Sequence, residues 1–135
     1  MKKRGMFLVA TLMCALWIQG CEPFEKEEKL RDVDYTVICP EDVPQELADE
    51  ITNVKEKEFQ LSYDDGEYLY VARGYGSRNT SGYNISVKDM YITEHTVVLD
   101  AEITGPREGE DVVDKKTTPY IVVKTEPMDK QIVFE

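Results

Sequence analysis

The fold is decided by the stretch Phe59-Gln60-Leu61-Ser62-Tyr63-Asp64-Asp65-Gly66-Glu67-Tyr68-Leu69-Tyr70-Val71-Ala72. Its two ends are rich in aromatic and aliphatic residues, and Asp-Asp-Gly separates them. An Asp-Gly pair between two such runs is a strong hairpin signal, because the turn needs residues that tolerate a positive φ. The sequence therefore predicts two antiparallel strands joined by a tight turn.

Further strands are predicted on both sides of this hairpin. Residues 83–87 and 97–103 alternate between apolar and polar side chains, which is typical of strands with one buried face. Residues 120–124 form a continuous apolar run that suits a central strand, and residues 132–134 form a short closing strand. Residues 33–39 are a weaker strand candidate, and residues 105–116 read as a polar, acidic loop.

One helix is predicted from about residue 44 to residue 57. Val43, Leu47, Ile51 and Val54 recur at helical spacing, with charged residues between them. Asp42 is positioned to cap the free N–H groups at the start, where proline is also tolerated. We expect the apolar stripe to pack on a sheet.

These elements predict a mostly β (α+β) protein with one helix and about seven short strands. The architecture expected is a small antiparallel sheet or β-sandwich with one covering helix. The length predicts a single globular domain, residues 33–135.

The N-terminus has the layout of a bacterial export signal. Three basic residues precede an apolar run at 6–18, and Ile18-Gln19-Gly20-Cys21 resembles a lipobox, although Gln19 is unusual before the small residue. We expect residues 1–20 to be a lipoprotein signal peptide, Cys21 to carry the lipid, and the charged residues 21–32 to be a flexible tether. The expected location is the extracytoplasmic face of the cell membrane. An uncleaved anchor is the alternative, but crossing a bilayer needs roughly 20 apolar residues; simple secretion is the other.

The charge balance limits the classes of partner that the protein is expected to bind. Without residues 1–20 the chain keeps 13 of its 16 basic residues and all 27 acidic ones, a formal net charge of −14. Binding nucleic acid requires a basic surface, so nucleic acid is not an expected partner. The acidity suits solubility, and it also suits a basic partner.

Residues that carry catalysis are sparse. The single histidine, His95, lies between two predicted strands and is interpreted as a turn residue, while Cys39 is interpreted as a small buried residue. The acidic stretch 108–111 does not match the spacing of a calcium loop. We expect no enzyme activity, no metal site and no cofactor.

The loop at 74–83 is the most distinctive segment. It carries three glycines and two tyrosines, and a strand rather than a helix follows, which disfavours a phosphate cradle. In one interpretation the glycines serve turns that need a positive φ. In the other, the loop presents Tyr75, Arg78 and Tyr83 to a partner, since tyrosine and arginine are frequent at binding hot spots.

Three motifs in this order resemble the C-terminal domain of the protease complex subunit PrcB family. They are residues 68–74, then 81–87, which contain Gly82-Tyr83-Asn84-Ile85-Ser86-Val87, and then 117–124, which contain Thr117-Thr118-Pro119-Tyr120. The resemblance covers about residues 59–135. It implies an exported, lipid-anchored, noncatalytic subunit that docks a surface protease.

The leading hypothesis is therefore a membrane-tethered protein-binding module. The candidate contact residues lie in the loop and in the neighbouring 118–120 segment: Tyr75, Arg78, Ser81, Gly82, Tyr83, Pro119 and Tyr120. Residues 81–83 also resemble, distantly, the loop of chagasin-type protease inhibitors, so an inhibitor module is the alternative. A purely structural envelope protein is a further interpretation.

Overall fold

A computed structural model describes residues 27–135, which form eight strands, one α-helix and a short 3-10 helix. The predicted signal peptide, Cys21 and the first part of the predicted tether lie outside the described residues. Within residues 27–135, no helix is both long enough and apolar enough to span a bilayer. The helices are the 3-10 helix Pro40–Asp42 and α1 (Gln45–Val54); the strands are β1 (Arg31–Asp32), β2 (Thr36–Val37), β3 (Glu58–Asp64), β4 (Leu69–Tyr75), β5 (Asn84–Ile92), β6 (Thr96–Thr104), β7 (Tyr120–Thr125) and β8 (Gln131–Phe134).

The strands form two four-stranded sheets. The outer sheet has the order β1-β5-β6-β8, and the middle sheet has the order β2-β7-β4-β3. All neighbours are antiparallel except β6 and β8, which are parallel. The predicted mostly β fold with one covering helix is confirmed, and it takes the sandwich form.

Two apolar clusters hold three layers together. Between the sheets, Val71 and Val123 of the middle sheet and Val97 and Leu99 of the outer sheet are fully buried. On the other face of the middle sheet, Leu47 and Ile51 of α1 pack with a second cluster. Its remaining buried members are Phe59, Tyr70, Ala72 and Val122. Side chains alternate between the two faces along β4 and β7, so each of these strands contributes buried residues to both clusters.

The helix packs on the sheet as its apolar stripe predicts, but its ends differ from the prediction. Only Leu47 and Ile51 are buried in α1, and Val54 is 36% exposed at its last turn. The predicted cap at Asp42 is wrong. Asp42 belongs to the 3-10 helix, and α1 begins after Pro44 with no side-chain cap, because the two prolines place a separate turn before the helix.

The β3–β4 hairpin is confirmed. Asp64 accepts a hydrogen bond from the Gly66 N–H at 2.8 Å, and Gly66 has φ 90°. Asp65 accepts bonds from the N–H groups of Glu67 at 2.8 Å and Tyr68 at 2.7 Å. These bonds to the ionised carboxylate lower the pKa of Asp65. The turn is thus fixed by local hydrogen bonds that the Asp-Asp-Gly sequence supplies.

The burial predicted for Cys39 is wrong. The strand expected at 33–39 is reduced to β2, Thr36–Val37, and the chain then leaves the sheet for the 3-10 helix. Cys39 precedes that helix and is exposed. The apolar sequence Val37-Ile38-Cys39 therefore runs along a sheet edge rather than through a core.

A bulge explains why β5 is longer than predicted. Its register with β6 shifts between Val87 and Asp89, so the alternation of buried residues changes phase. Ile85 and Val87 face the inter-sheet core before the bulge, and Met90 and Ile92 face it afterwards. A strict period of two therefore ends at Val87, although the strand continues to Ile92.

Candidate functional site

The loop 74–83 and the segment 117–120 lie side by side at one end of the sandwich. The Arg78 N–H donates to the Thr117 carbonyl at 2.8 Å, and the Thr117 N–H returns a bond to the Arg78 carbonyl at 2.9 Å. The Tyr75 N–H donates to the Pro119 carbonyl at 3.1 Å. The two segments that the motifs single out are thus held together by backbone bonds.

The acidic loop 105–116 completes this end of the domain. The Ser81 N–H donates to the Val113 carbonyl at 3.0 Å, and the Val113 N–H donates to Ser81 Oγ at 2.8 Å. Lys116 Nζ lies 2.6 Å from Glu56, whose carbonyl accepts the Ser77 N–H. We call residues 74–83 and 105–119 together the loop cluster.

Gly82 is required by both conformation and space. Its φ is 95°, and a Cβ there would approach Pro106 Cβ and Val112 Cγ1 at 3.0 Å each. Ser81 and Gly82 are both half-buried. These two candidate residues therefore join the two loops.

Arg78 is held inside the loop cluster. Its guanidinium carbon lies 5.3 Å from the Tyr83 ring centroid, and Nη2 donates to the Tyr75 carbonyl at 3.3 Å. Its Nε is buried and has no hydrogen-bond partner within residues 27–135. Arg78 and Tyr83 are both half-buried, so this pair orders the loop as a stacked cation–aromatic contact.

Tyr75 points into the domain. The Arg73 guanidinium lies 5.1 Å from its ring centroid, and the buried phenol oxygen has no hydrogen-bond partner in the described part of the chain. Burial raises the pKa of Tyr75, and the nearby Arg73 charge partly opposes this effect. The phenol is therefore neutral at pH 7.

Pro119 belongs to the loop cluster, whereas Tyr120 lies on the helix-covered face of the middle sheet. Tyr120 packs against the helix-side cluster, and its ring centroid lies 6.2 Å from that of Phe59. Pro119 and Tyr120 are both half-buried. The structure thus brings Tyr75, Arg78, Ser81, Gly82, Tyr83 and Pro119 to one loop cluster, while Tyr120 leads from it into a core.

The glycines of the loop have different roles. Gly76 and Gly82 have positive φ values of 79° and 95°, as the turn interpretation expects. Gly74 lies within β4 instead, and a Cβ there would lie 2.0 Å from Phe59 Cε1. For Gly74 the turn interpretation is wrong, since this glycine makes room for the ring of Phe59 on the adjacent strand.

Two residues that the sequence analysis did not single out lie exposed on the loop cluster. Val112 is 39% exposed and Val113 is 62% exposed. The sequence does contain a signal for them, because two adjacent valines are unexpected in a loop that is otherwise polar and acidic. They supply the exposed apolar surface that the half-buried candidates lack.

The other end of the sandwich is where the described chain begins. Glu27 accepts hydrogen bonds from the Thr93 hydroxyl at 2.6 Å and the His95 N–H at 3.1 Å. His95 lies in the β5–β6 turn, as predicted, where the Thr93 N–H donates to the Thr96 carbonyl at 2.9 Å. These bonds to the carboxylate lower the pKa of Glu27, with the Thr93 bond contributing most.

This turn and the loop cluster lie at opposite ends of β5. The strand has nine residues, and at about 3.3 Å per residue it separates its two ends by roughly 27 Å. Among residues 27–135, no group of His, Cys, Asp and Glu has the arrangement of a metal site. The exposed acidic loop 108–111 and His95 lie beyond opposite ends of β6.

Part of the chain matches a known family model. Residues 69–126 match the family model described as PrcB C-terminal. The matched residues run from the start of β4 beyond the end of β7 and contain the whole loop cluster. The comparisons with curated proteins and with solved structures gave no match.

Proposed function

Since residues 69–126 match the family model described as PrcB C-terminal, we propose that this protein is a lipid-anchored, noncatalytic subunit that docks an extracytoplasmic protease. The observation that carries the proposal is the extent of the family match, because it includes every segment of the loop cluster. In this proposal the protein binds its partner stoichiometrically, and the membrane tether raises the local concentration of the partner.

The loop cluster is the proposed docking surface. Its exposed apolar residues are Val112 and Val113, and Arg78 stacks on Tyr83 in the adjoining loop 74–83. A loop that is already ordered loses less entropy when a partner binds. In this proposal the half-buried candidate residues keep the loop cluster in a fixed shape, and Val112 and Val113 make the contact with the partner.

The position of the first described residues supports a particular orientation of the domain relative to the membrane. Cys21 precedes Glu27 by six residues, which span at most about 20 Å when extended. Glu27 is bound at the β5–β6 turn, whereas the loop cluster lies at the other end of β5. A lipid at Cys21 would thus hold the turn near the bilayer and direct the loop cluster away from it.

The noncatalytic role is supported by the surroundings of the single histidine. His95 is 72% exposed, and its Nδ1 lies 3.2 Å from Glu27 rather than beside a nucleophile. General-base catalysis needs the base within hydrogen-bond reach of the group that it activates. The inhibitor alternative is less well supported, since Ser81 and Gly82 are half-buried under the acidic loop and do not project into solvent.

The test is capture of the protease from cells. Full-length tagged protein is crosslinked in intact cells and purified, and the bound proteins are identified by mass spectrometry. We expect Val113→Glu to reduce capture of a protease at least about tenfold, since it places a charge in an apolar contact. Val37→Glu is the matched control, because Val37 is 52% exposed and lies on β2, outside the loop cluster. Equal capture by both variants would remove the loop cluster from the proposed function.

A further inference from the structure

The middle sheet ends in an open strand edge. β3 has seven residues, and among residues 27–135 it is hydrogen-bonded on one side only, to β4. The other sheet edges in residues 27–135 are shorter: β1 and β2 have two residues each, and β8 has four. β3 is therefore the longest strand edge that another chain could extend.

The backbone groups that face this edge can be assigned. The Asp65 N–H donates to the Tyr68 carbonyl at 3.1 Å, so Asp65 and Tyr68 are a hydrogen-bonded pair. Antiparallel pairs alternate, and the register continues without a shift to the pair of Glu58 and Tyr75. The N–H and C=O groups of the even-numbered residues consequently point to the open edge: Glu58, Gln60, Ser62 and Asp64.

The edge lacks most of the devices that block strand addition. Strand edges are commonly protected by proline, by lysine, by a bulge or by short length. β3 has no proline or lysine, and its pairing with β4 has no bulge. Its acidic residues are the remaining protection, and they repel only segments of the same charge.

An added strand would find two different surfaces. On one side, Phe59, Leu61 and Tyr63 pack with the helix-side cluster. On the other side, Glu58 and Gln60 are exposed, and together with Phe59 they line an open cavity of about 380 Å³ at this edge. Arg73 and Tyr75 also line this cavity. Alternate side chains of an extended segment would therefore contact α1 and the cavity in turn.

The charge at this edge selects the occupant. Glu58 and Asp64 are exposed at the two ends of β3. Burial raises the pKa of Tyr63 between them, and the charge of Glu46 on α1 raises it further. Residues 1–26 hold four of the 16 basic residues and two of the 27 acidic ones, so residues 27–135 hold 12 basic and 25 acidic residues. A basic segment complements this surface.

A second copy of the chain does not complement it. If two β3 edges paired symmetrically about Leu61, Glu58 of each copy would lie opposite Asp64 of the other. Like charges directly opposite each other destabilise a strand pair. The acidic ends of β3 thus disfavour pairing of β3 with itself.

We propose that the β3 edge binds, by strand addition, an extended segment of a protein partner that carries Lys or Arg opposite Glu58 and Asp64. The inference rests on the proposed function in taking a protein as the partner, and it adds a second contact, at a strand edge that adjoins the loop cluster at Tyr75. The segment forms backbone hydrogen bonds with Glu58, Gln60 and Ser62, and its two basic side chains lie six residues apart, as Glu58 and Asp64 do.

The probe is a short peptide of alternating threonine and valine with two lysines six residues apart. Its matched control carries glutamates at the two lysine positions. Binding to the full-length protein in detergent is followed by fluorescence anisotropy, and hydrogen exchange locates the protected amides. We expect the lysine peptide to protect the amides of Glu58, Gln60 and Ser62, and the glutamate peptide to bind at least about fivefold more weakly.

Two variants test the edge itself. Ser62→Pro removes an N–H that faces the open edge while leaving the β3–β4 bonds in place, so it should abolish peptide binding. Glu58→Lys should weaken binding about fivefold, whereas Glu94→Lys makes the same charge change in the β5–β6 turn and should leave it unchanged. If Ser62→Pro does not fold, the affinity of Glu58→Lys for the peptide tests whether the peptide binds at the β3 edge. Protection at other amides, equal binding of both peptides, an unchanged affinity in Glu58→Lys, or a dimer formed through β3 would each overturn the inference.

Protease capture separates this inference from the proposed function. If the lysine peptide fails to bind but Val113→Glu still abolishes capture, the edge site is wrong and the proposed function stands. If the peptide binds at β3 but Val113→Glu captures the protease normally, the loop cluster is wrong and the edge site stands.

Discussion

Replacing Gly74 by alanine should destabilise the domain through a single contact. The added Cβ would lie 2.0 Å from Cε1, 2.3 Å from Cδ1 and 2.7 Å from Cζ of Phe59, which is directly opposite on β3. Phe59 is 8% exposed and packs with Tyr120, Leu47 and Ile51. The ring cannot move deeper into this cluster, so it must shift outwards or the two strands must separate.

The expected magnitude follows from two opposing effects. Overpacking a core typically costs about 1–3 kcal/mol. Replacing a glycine by alanine also restricts the unfolded chain, which stabilises the folded state by about 0.4–1 kcal/mol. We therefore expect Gly74→Ala to lower the free energy of unfolding by about 1–2 kcal/mol, or the melting temperature by roughly 4–8 °C.

A double-mutant cycle with Phe59→Ala, measured by urea denaturation, tests this explanation. Phe59→Ala alone should cost about 3–5 kcal/mol, because it leaves a cavity. Alanine at position 74 then meets no ring, so the double variant should be about as stable as Phe59→Ala alone, or slightly more stable. Additivity of the two single effects within about 0.5 kcal/mol would refute the contact. Gly109→Ala is the control, since Gly109 has φ 83° and open space around it, and its strain should not couple to Phe59.

Three further predictions follow from single groups. Leu47→Ala should lower the free energy of unfolding by about 2–5 kcal/mol in urea denaturation, because Leu47 is 1% exposed between α1 and the middle sheet. Arg78→Ala should speed hydrogen exchange at the Arg78 and Thr117 amides while the melting temperature changes little, and unchanged exchange would show that the stacked pair does not order the loop. Glu27 has a lowered folded-state pKa, so its stabilising contribution is present above its unfolded value near 4.5 and is lost as pH falls through the folded value. Thermal melts of Glu27→Gln and the unsubstituted protein should therefore differ at pH 7 and converge towards pH 3.

Features set by neighbouring residues could be predicted from the sequence. The Asp64-Asp65-Gly66 turn carries its own hydrogen bonds, and the stripe of Leu47 and Ile51 defines the buried face of α1. The apolar run at 120–124 indicated a central strand, and β7 lies between β2 and β4. In these cases the local pattern and the tertiary environment select the same structure.

Features set by distant residues could not be predicted. β8 lies parallel to β6, and no local pattern in Gln131–Phe134 selects that direction. Cys39 lies in an apolar sequence but is exposed, because β2 is only two residues long at the sheet edge. Gly74 looks like a turn glycine until Phe59 is seen opposite it.

The candidate site divides in the same way. Their closeness in the sequence placed Tyr75, Arg78 and Tyr83 in one loop, and the binding hypothesis placed the segment 118–120 alongside. Their burial was not predictable, because it depends on the acidic loop 105–116 folding back onto Ser81 and Gly82. That same loop exposes Val112 and Val113, which therefore became candidates only with the structure.

The two proposed contacts differ in what the domain must provide. The loop cluster needs a fixed shape, and Arg78, Gly82 and Ser81 fix it through contacts that leave them half-buried. The β3 edge needs only regular backbone, which the continuous register with β4 supplies. The two surfaces meet where Glu56 accepts the Ser77 N–H, just before β3 begins. A single partner could thus contact the loop cluster with a folded surface and extend one basic strand along β3, which would make the two contacts cooperative by effective concentration. Under this arrangement, loss of either contact should weaken capture, and loss of both should weaken it by more than the product of the two single effects.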